Sequence, residues 1–172
     1  MKFETSKVLK LKKYYPYAFN DKRGKYIEVF NKKKYFQIFK KNFIEHDTCI
    51  SKKNVFRGIH GDNHTWKIVS CVYGKCTAYI FNCDRSSLDF GKWEKFYLSS
   101  SNYFEILIPP KFGNSFLVTS DIAVYHYKQS RYYSGSKNQF TYNISDPFFN
   151  VKLPKQRLII SQRDKKCPFI KI

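Results

Sequence analysis

Four short segments of the sequence contain residue types that can remove a proton from a carbon next to a ketone. They are Arg57-Gly58-Ile59-His60, Trp66-Lys67-Ile68-Val69, Asp84-Arg85-Ser86-Ser87 and Ser161-Gln162-Arg163-Asp164. A histidine, a lysine and a distant aspartate together can do this, because an imidazole both accepts and returns a proton near neutral pH. The arginine beside the histidine can bind a phosphate through its planar pair of donors.

His60 has two simpler interpretations, a structural histidine or a metal ligand. A metal site built on β-strands typically presents two histidines one residue apart, with a glutamate soon after and a third histidine later. Here Gly61 and Asp62 follow His60, and the next histidine is His64. On a strand or a loop that spacing does not give a chelate, so the sequence predicts no metal.

Lys67 stands in a strongly apolar segment, from Trp66 to Val72. A lysine there must either point into a cavity or extend its ammonium out to solvent. The alternative to a functional role is a lysine on the solvent face of an edge strand.

The elements that position these residues are short strands separated by turns. Apolar segments with β-branched and aromatic residues predict strands at Trp66–Tyr73, Cys76–Asn82, Tyr103–Ile108, Ser115–Thr119 and Ile122–Lys128. Gly74-Lys75 predicts a hairpin turn, Pro109-Pro110 ends the third strand, and the last two strands join near Ser120-Asp121. Closely spaced strands of this kind predict an antiparallel β-sandwich or barrel.

One early helix is predicted around Lys32–Lys41. There Tyr35, Phe36 and Phe39 recur at helical spacing, with Phe43 just beyond. We interpret these aromatic residues as packing residues of the core or of a sheet face.

The composition is that of one folded domain over residues 1–172. No apolar run reaches membrane-spanning length and the N-terminus lacks a signal peptide's apolar stretch, so we expect a cytoplasmic protein without a membrane partner. The five cysteines form no CxxC pair, and their number is odd. We therefore expect reduced thiols packed as small hydrophobic residues.

The formal charge of +19 raises the question of nucleic-acid binding. The positive residues are mostly lysines spread from Lys2 to Lys171, with only short runs such as Lys32-Lys33-Lys34. We therefore expect no nucleic-acid partner and interpret the charge as a field that attracts an anionic diphosphate.

The order and surroundings of these segments resemble the sugar-nucleotide 3,5-epimerases typified by dTDP-4-dehydrorhamnose 3,5-epimerase. The matched segments extend from about Asp21 to Asp164. The resemblance implies an all-β cupin jelly roll, or double-stranded β-helix, with short flanking helices. It also implies an enzyme without a cofactor, acting on a nucleotide-diphosphate sugar as a homodimer that exchanges its N-terminal arms.

The resemblance gives each reacting residue a role. His60 matches the catalytic base, and Asp164 matches the carboxylate that hydrogen-bonds it, although a residue between two basic neighbours would otherwise be read as exposed. Lys67 matches the cation that faces the C4 oxygen of the substrate and stabilises the enolate. Tyr127 and Tyr133 match two active-site tyrosines, and Tyr127 would donate a proton to the face opposite the base.

Phosphate binding is expected from Arg57 and Arg23. Arg23 lies in Asp21-Lys22-Arg23-Gly24-Lys25-Tyr26-Ile27-Glu28, which resembles the N-terminal arm that reaches the partner's site in the family. Glu28 matches a residue near the nucleotide base.

The chain departs from the family pattern in two places. The family often has amide residues where Glu45 and Asp47 stand. Carboxylates can accept both adjacent donors of guanine, whereas thymine offers one imide donor, so the change favours GDP over dTDP. Subfamilies acting on GDP-linked 4-keto heptoses for bacterial capsules exist, and the chain can be grouped with them. Asn114 replaces a ligand-facing histidine, which leaves open inversion at C3, at C5 or at both.

The sequence therefore predicts an epimerase of a nucleotide-linked 4-keto-deoxy sugar, either a GDP-4-keto-heptose or a dTDP-4-keto-6-deoxyhexose. Two alternatives stay open: a cupin 3,4-ketoisomerase, which returns the proton to the same face, and a non-catalytic cupin that binds sugar nucleotides.

Overall fold

β-Strands make up most of the regular structure in this computed structural model, which describes residues 2–170. In chain order the strands are β1 (Lys2–Thr5), β2 (Lys12–Tyr15), β3 (Ala18–Asp21), β4 (Gly24–Ile27), β5 (Glu45–Lys52), β6 (Val55–Gly61), β7 (Lys67–Tyr73), β8 (Lys75–Asn82), β9 (Trp93–Ser99), β10 (Glu105–Ile108), β11 (Phe112–Val118), β12 (Ile122–Gln129), β13 (Phe140–Thr141) and β14 (Ile159–Ile160). The helices of these residues are short: α1 (Lys32–Phe39), α2 (Gln162–Lys166) and a 3-10 turn at Ser136–Asn138.

The larger strands form two sheets that pack face to face. The first sheet has the order β1-β2-β10-β7-β12-β5, and the second has the order β13-β6-β11-β8-β9 with β14 parallel to β6. Neighbours within these two orders are antiparallel. Strands β3 and β4 form a separate hairpin. The antiparallel β-sandwich predicted from the strand pattern is confirmed, and so is the all-β cupin jelly roll that the family resemblance implied.

The main hydrophobic core lies between the two sheets. Val69 of β7, Ile106 of β10 and Tyr125 of β12 meet Ala78 of β8 and Phe116 of β11 there, and none of these five side chains is exposed. Because side chains alternate along a strand, every second residue of these strands points into the same layer.

Each sheet is also covered on its outer face. Helix α1 places Tyr35 and Phe39 against Ile68 of the first sheet. The chain after β13 places Ile144 and Phe149 against the outer face of the second sheet. This double cover explains why the central strands β7, β8, β10 and β11 contain few exposed polar residues and appear in the sequence as apolar runs.

The predicted elements are present with shifted ends. The helix predicted at 32–41 spans Lys32–Phe39, and its N-cap Asn31 accepts from the backbone of Lys34. The turn predicted at Gly74-Lys75 is present, and the φ of Gly74 is +73°. The predicted hairpin is wrong, because β7 pairs with β10 and β12 in the first sheet whereas β8 pairs with β11 and β9 in the second, so the turn carries the chain from one sheet to the other. Strands β5, β6 and β9 were not predicted, because polar residues interrupt their apolar pattern. The short strands β1–β4, β13 and β14 were not predicted either.

Two further properties concern the described part of the chain as a whole. Between residues 2 and 170, no helix has the length and apolar character needed to cross a membrane. In the same residues, no cluster of three histidine, cysteine, aspartate or glutamate side chains could hold a metal ion.

Candidate active site

A cavity of about 640 Å³ opens between the two sheets, and residues of β5, β6, β7, β11 and β12 line it. Eight of the eleven residues singled out in the sequence line this cavity: Glu45, Asp47, Arg57, His60, Lys67, Asn114, Tyr127 and Tyr133. A ninth, Asp164, lies beside one of them. The jelly roll therefore brings together residues up to 119 positions apart in the sequence.

One wall of the cavity is the inner face of the first sheet. In the sheet register, Gln129 of β12 is opposite both Lys67 of β7 and Glu45 of β5. Two residues earlier, Tyr127 is opposite Asp47. These five residues share one face, because positions two apart on a strand point the same way.

The opposite wall depends on an irregularity at Gly58. Arg57 and His60 are three positions apart, so a regular strand would point them to opposite faces. The β6–β11 register shifts between Asn114 and Phe116, and the φ of Gly58 is +110°. A bulge of this kind re-aims the side chains around it, and both Arg57 and His60 line the cavity.

His60 and Asp164 form a hydrogen-bonded pair. The distance from Nε2 of His60 to Oδ1 of Asp164 is 2.6 Å. Burial raises the pKa of Asp164, but the bonds from His60, from the backbone of Gly58 and from Ser161 more than offset this, so its pKa lies below the usual value. An ionised Asp164 keeps the proton on Nε2 and leaves Nδ1 of His60 as the basic nitrogen.

Asp164 is buried because α2 turns it inward. Ser161 caps this helix by accepting from the backbone N–H of Asp164. The side chain of Asp164 is only 3% exposed, although the neighbouring residues Arg163 and Lys165 are basic. The exposed position that these neighbours indicate is therefore wrong, and the inward position implied by the resemblance is correct.

Lys67 is a buried cation on the cavity wall. Its side chain is 7% exposed, and its Nζ lies 3.5 Å from Oδ2 of Asp62. Burial lowers the pKa of Lys67, and the carboxylate of Asp62 offsets this only in part. The position on the solvent face of an edge strand is excluded, since β7 lies between β10 and β12.

Tyr127 presents a protonated phenol to the cavity. Burial raises its pKa well above the usual value, and the neighbouring thiol of Cys49 acts in the same direction. The ring of Tyr125 packs edge-on against it at 5.0 Å between centroids. A phenol in this state donates a proton or a hydrogen bond and does not act as a base.

Glu45 and Asp47 are held side by side by one amide. Nε2 of Gln129 donates to Oε1 of Glu45 at 3.0 Å and to Oδ2 of Asp47 at 2.7 Å. The other oxygen of Glu45 accepts from the backbone of Tyr133 at 2.9 Å. The two carboxylates thus form a fixed set of acceptors on the cavity wall.

Arg23 and Glu28 do not line the cavity of their own chain. Arg23 lies at the turn of the β3–β4 hairpin, where its Nη2 is 2.6 Å from Asp21. Glu28 follows the hairpin and forms an ion pair with Lys34 at 2.7 Å.

Four further residues line the cavity that the sequence interpretation did not single out. They are Cys49, Gln129, Gln139 and Arg163. Strand alternation indicates the first two, because Cys49 is two residues after Asp47 and Gln129 two residues after Tyr127. Gln139 and Arg163 lie outside long strands and gave no such signal.

Comparison with known proteins agrees with this geometry. The family described as "dTDP-4-dehydrorhamnose 3,5-epimerase" matches residues 6–171. The chain is 30% identical to the dTDP-4-dehydrorhamnose 3,5-epimerase of Salmonella typhimurium over 162 residues, which is 90% of this chain and 87% of that protein. It is 32% identical to the enzyme of the same name from Shigella flexneri over 154 residues, which is 87% of this chain and 84% of that protein.

A solved structure extends the similarity to the whole fold. The dTDP-6-deoxy-D-glucose-3,5-epimerase of Legionella pneumophila Philadelphia 1, in complex with dTDP-4-keto-L-rhamnose, superposes with a TM-score of 0.90 and 26% identity. The similarity covers 98% of this chain and 92% of that one.

Proposed function

The chain belongs to the dTDP-4-dehydrorhamnose 3,5-epimerase family, and on this premise we propose that it inverts C3, C5 or both of a nucleotide-linked 4-keto-deoxy sugar. One observation carries the proposal: His60, which is hydrogen-bonded to Asp164, lines the same cavity as Lys67 and Tyr127. These residues are the parts of an epimerisation that needs no redox cofactor.

The reaction begins with proton removal by His60. Its Nδ1 takes the proton from the carbon next to the ketone, and Asp164 stabilises the imidazolium that forms. The C–H electron pair moves toward the ketone and gives an enolate.

Lys67 stabilises the enolate oxygen. Its ammonium is fixed by burial and by Asp62, so it does not have to be reoriented as the negative charge develops. This contact lowers the energy of the transition state more than that of the neutral ketone.

Tyr127 donates its phenolic proton to the enolate carbon from the opposite face. Solvent then reprotonates the phenolate and takes up the proton held by His60. Tyr127 lies on the first sheet and His60 on the second, so the two side chains face the cavity from opposite walls. Protonation from the wall that did not remove the proton inverts the carbon.

The diphosphate is held by Arg57 and by Arg23 from a second copy of the chain. The β3–β4 hairpin supports this arrangement, because it stands outside both main sheets. Tyr17, Phe19 and Tyr26 on or beside it are 69%, 51% and 70% exposed, a group of apolar side chains that a partner would cover. The protein therefore acts as a homodimer in which Glu28 lies near the partner's nucleotide.

The nucleotide base is guanine, in preference to thymine. Glu45 and Asp47 offer carboxylate oxygens side by side, and guanine presents two adjacent N–H donors to such a pair. The substrate is then a GDP-4-keto-heptose used for a capsule or another surface polysaccharide.

The test is incubation with GDP- and dTDP-linked 4-keto sugars in D2O, followed by NMR. Deuterium at C3 or C5 with inverted configuration is expected, together with a lower KM for the GDP-linked substrate. A 3-keto product without inversion would replace the epimerase with a ketoisomerase. Binding without any exchange would replace it with a non-catalytic cupin.

A further inference from the structure

We propose that Tyr125 is a positioning residue that fixes the amide of Asn114 as a hydrogen-bond donor to a hydroxyl of the bound sugar. This inference rests on the proposed epimerase function and adds a residue that does not itself line the cavity. Asn114 would contact the substrate, and Tyr125 would act only through Asn114.

The contact that supports the inference is a hydrogen bond inside the core. The phenol oxygen of Tyr125 lies 3.0 Å from Oδ1 of Asn114. Tyr125 is 0% exposed and its ring stacks on Phe116, with centroids 4.1 Å apart and planes 11° apart. The phenol is therefore held in one place relative to the amide.

The direction of this bond decides which end of the amide faces the cavity. The phenol is protonated, since burial raises its pKa well above the usual value. Among residues 2–170, Oδ1 of Asn114 is the acceptor that the phenol reaches. If the amide were reversed, the phenol hydrogen would be buried against Phe116 and Tyr127 without an acceptor, which costs more than one bond contributes.

The amide nitrogen is then the free end. Within the described residues, Nδ2 of Asn114 donates to no acceptor. This atom is also not fully shielded from solvent. Asn114 is a lining residue of the cavity. Nδ2 is therefore accessible from the cavity as a donor.

The position of this donor indicates what it binds. Asn114 is opposite His60 in the β6–β11 register, and opposite residues on one sheet face lie within a side chain's reach of each other. Lys67 supplies the cation for the ketone oxygen from the other wall. Nδ2 of Asn114 is thus placed to bind a sugar hydroxyl next to the carbon that His60 deprotonates.

The experiment is a double-mutant cycle with Asn114→Ala, Tyr125→Phe and the double variant. We measure kcat and KM, the ratio of deuterium at C3 and C5, and the melting temperature. Each single variant is expected to lower kcat/KM by about five- to tenfold, the size of one lost hydrogen bond, and to change the C3 to C5 ratio. The double variant should be no slower than Asn114→Ala, because Tyr125 acts only through Asn114.

Two further variants separate positioning from stability. Tyr103→Phe removes another buried phenol, one that donates to Glu105 away from the cavity, and should lower the melting temperature while leaving kcat/KM and the ratio unchanged. Asn114→Asp keeps an acceptor for Tyr125 but removes the donor, so it should fold normally and lose activity as Asn114→Ala does.

Additive losses in the double variant, or a Tyr125→Phe variant that behaves like Tyr103→Phe, would overturn the inference. If the wild-type protein exchanges no α-proton, the epimerase proposal fails instead. Calorimetric titration of the same variants with GDP- and dTDP-linked sugars then decides this inference separately. Affinity losses that are not additive in the double variant support the inference, and unchanged affinities reject it.

Discussion

The proposed role of His60 as the base depends on one hydrogen bond. With Nε2 2.6 Å from Asp164, the ring has a fixed tautomer and one free basic nitrogen. We expect His60→Asn to leave the fold intact and to reduce α-proton exchange by at least about a hundredfold, the usual scale of a lost general base. Exchange in D2O followed by NMR measures this, and near-normal exchange would show that another residue is the base.

Lys67 should set the alkaline limit of activity. Its pKa is lowered mainly by burial, and Asp62 raises it in part. Only the ammonium form stabilises the oxyanion, so activity should fall as the pH rises through this lowered pKa. Asp62→Asn removes the favourable charge, lowers the pKa of Lys67 further and should move the alkaline limb of the kcat/KM profile to lower pH.

The loop at residue 62 should survive this change. Oδ1 of Asp62 accepts from the backbone of His64 and Thr65, at 2.9 and 2.6 Å, and an asparagine oxygen can do the same. Asp89→Asn is the matched control, since Asp89 pairs with the exposed Lys92. An unchanged alkaline limb in Asp62→Asn would assign that limb to a group other than Lys67.

Tyr127→Phe should separate exchange from inversion. The enolate still forms at His60 and is still stabilised by Lys67, so solvent deuterium should enter with retained configuration while inverted product falls sharply. NMR of the product distinguishes the two outcomes, with Tyr97→Phe, an exposed tyrosine, as the control. Inversion at the wild-type rate would make Tyr127 a packing residue and leave Tyr133 or water as the acid.

At the scale of the element, β6 depends on one glycine. An added Cβ at Gly58 would lie 2.5 Å from the carbonyl oxygen of Asn114 and 2.6 Å from Cβ of Ser115, at a φ of +110°. We expect Gly58→Ala to lower the free energy of unfolding by about 2–4 kcal/mol, from backbone strain and overpacking together. Urea unfolding measures this change.

Gly135→Ala is the matched control for this prediction. Gly135 has a φ of +97°, but an added Cβ there would meet nothing within 4 Å. This variant should show the backbone cost alone, about 1–3 kcal/mol. Equal losses in the two variants would mean that the close approach of β11 to Gly58 contributes nothing.

The elements also show where sequence patterns predict structure and where they do not. Strands β7 and β8 were predicted to within one residue, because they are buried on both faces and form apolar runs. Strand β5 was missed because its cavity-facing residues Glu45 and Asp47 are charged. The bulge at Gly58 was not predicted, since it depends on the shifted register with β11. The inward side chain of Asp164 followed only from the family resemblance.

At the scale of the whole molecule, the positive charge and the cavity serve the same substrate. The cavity contains two carboxylates, Glu45 and Asp47, and three cations, Arg57, Lys67 and Arg163. A ligand that carries both a diphosphate and neutral donors fits this mixed lining. The net charge of +19 adds a long-range attraction for the diphosphate, which salt weakens.

The proposed exchange of arms between two copies predicts that two inactive variants restore each other. If Arg23 serves the partner's site, a heterodimer of an Arg23→Ala chain and a His60→Asn chain has one complete site, in the body of the Arg23→Ala chain. Co-expression at equal levels should recover about a quarter of the wild-type activity, because random pairing makes half of the dimers mixed and each mixed dimer has one complete site of two.

A His60→Asn chain paired with a Lys67→Ala chain is the control, since both residues belong to the same body and no complete site can form. Light scattering confirms the assembly. A fully active monomer, or no recovery from a mixed dimer, would place Arg23 outside the partner's site.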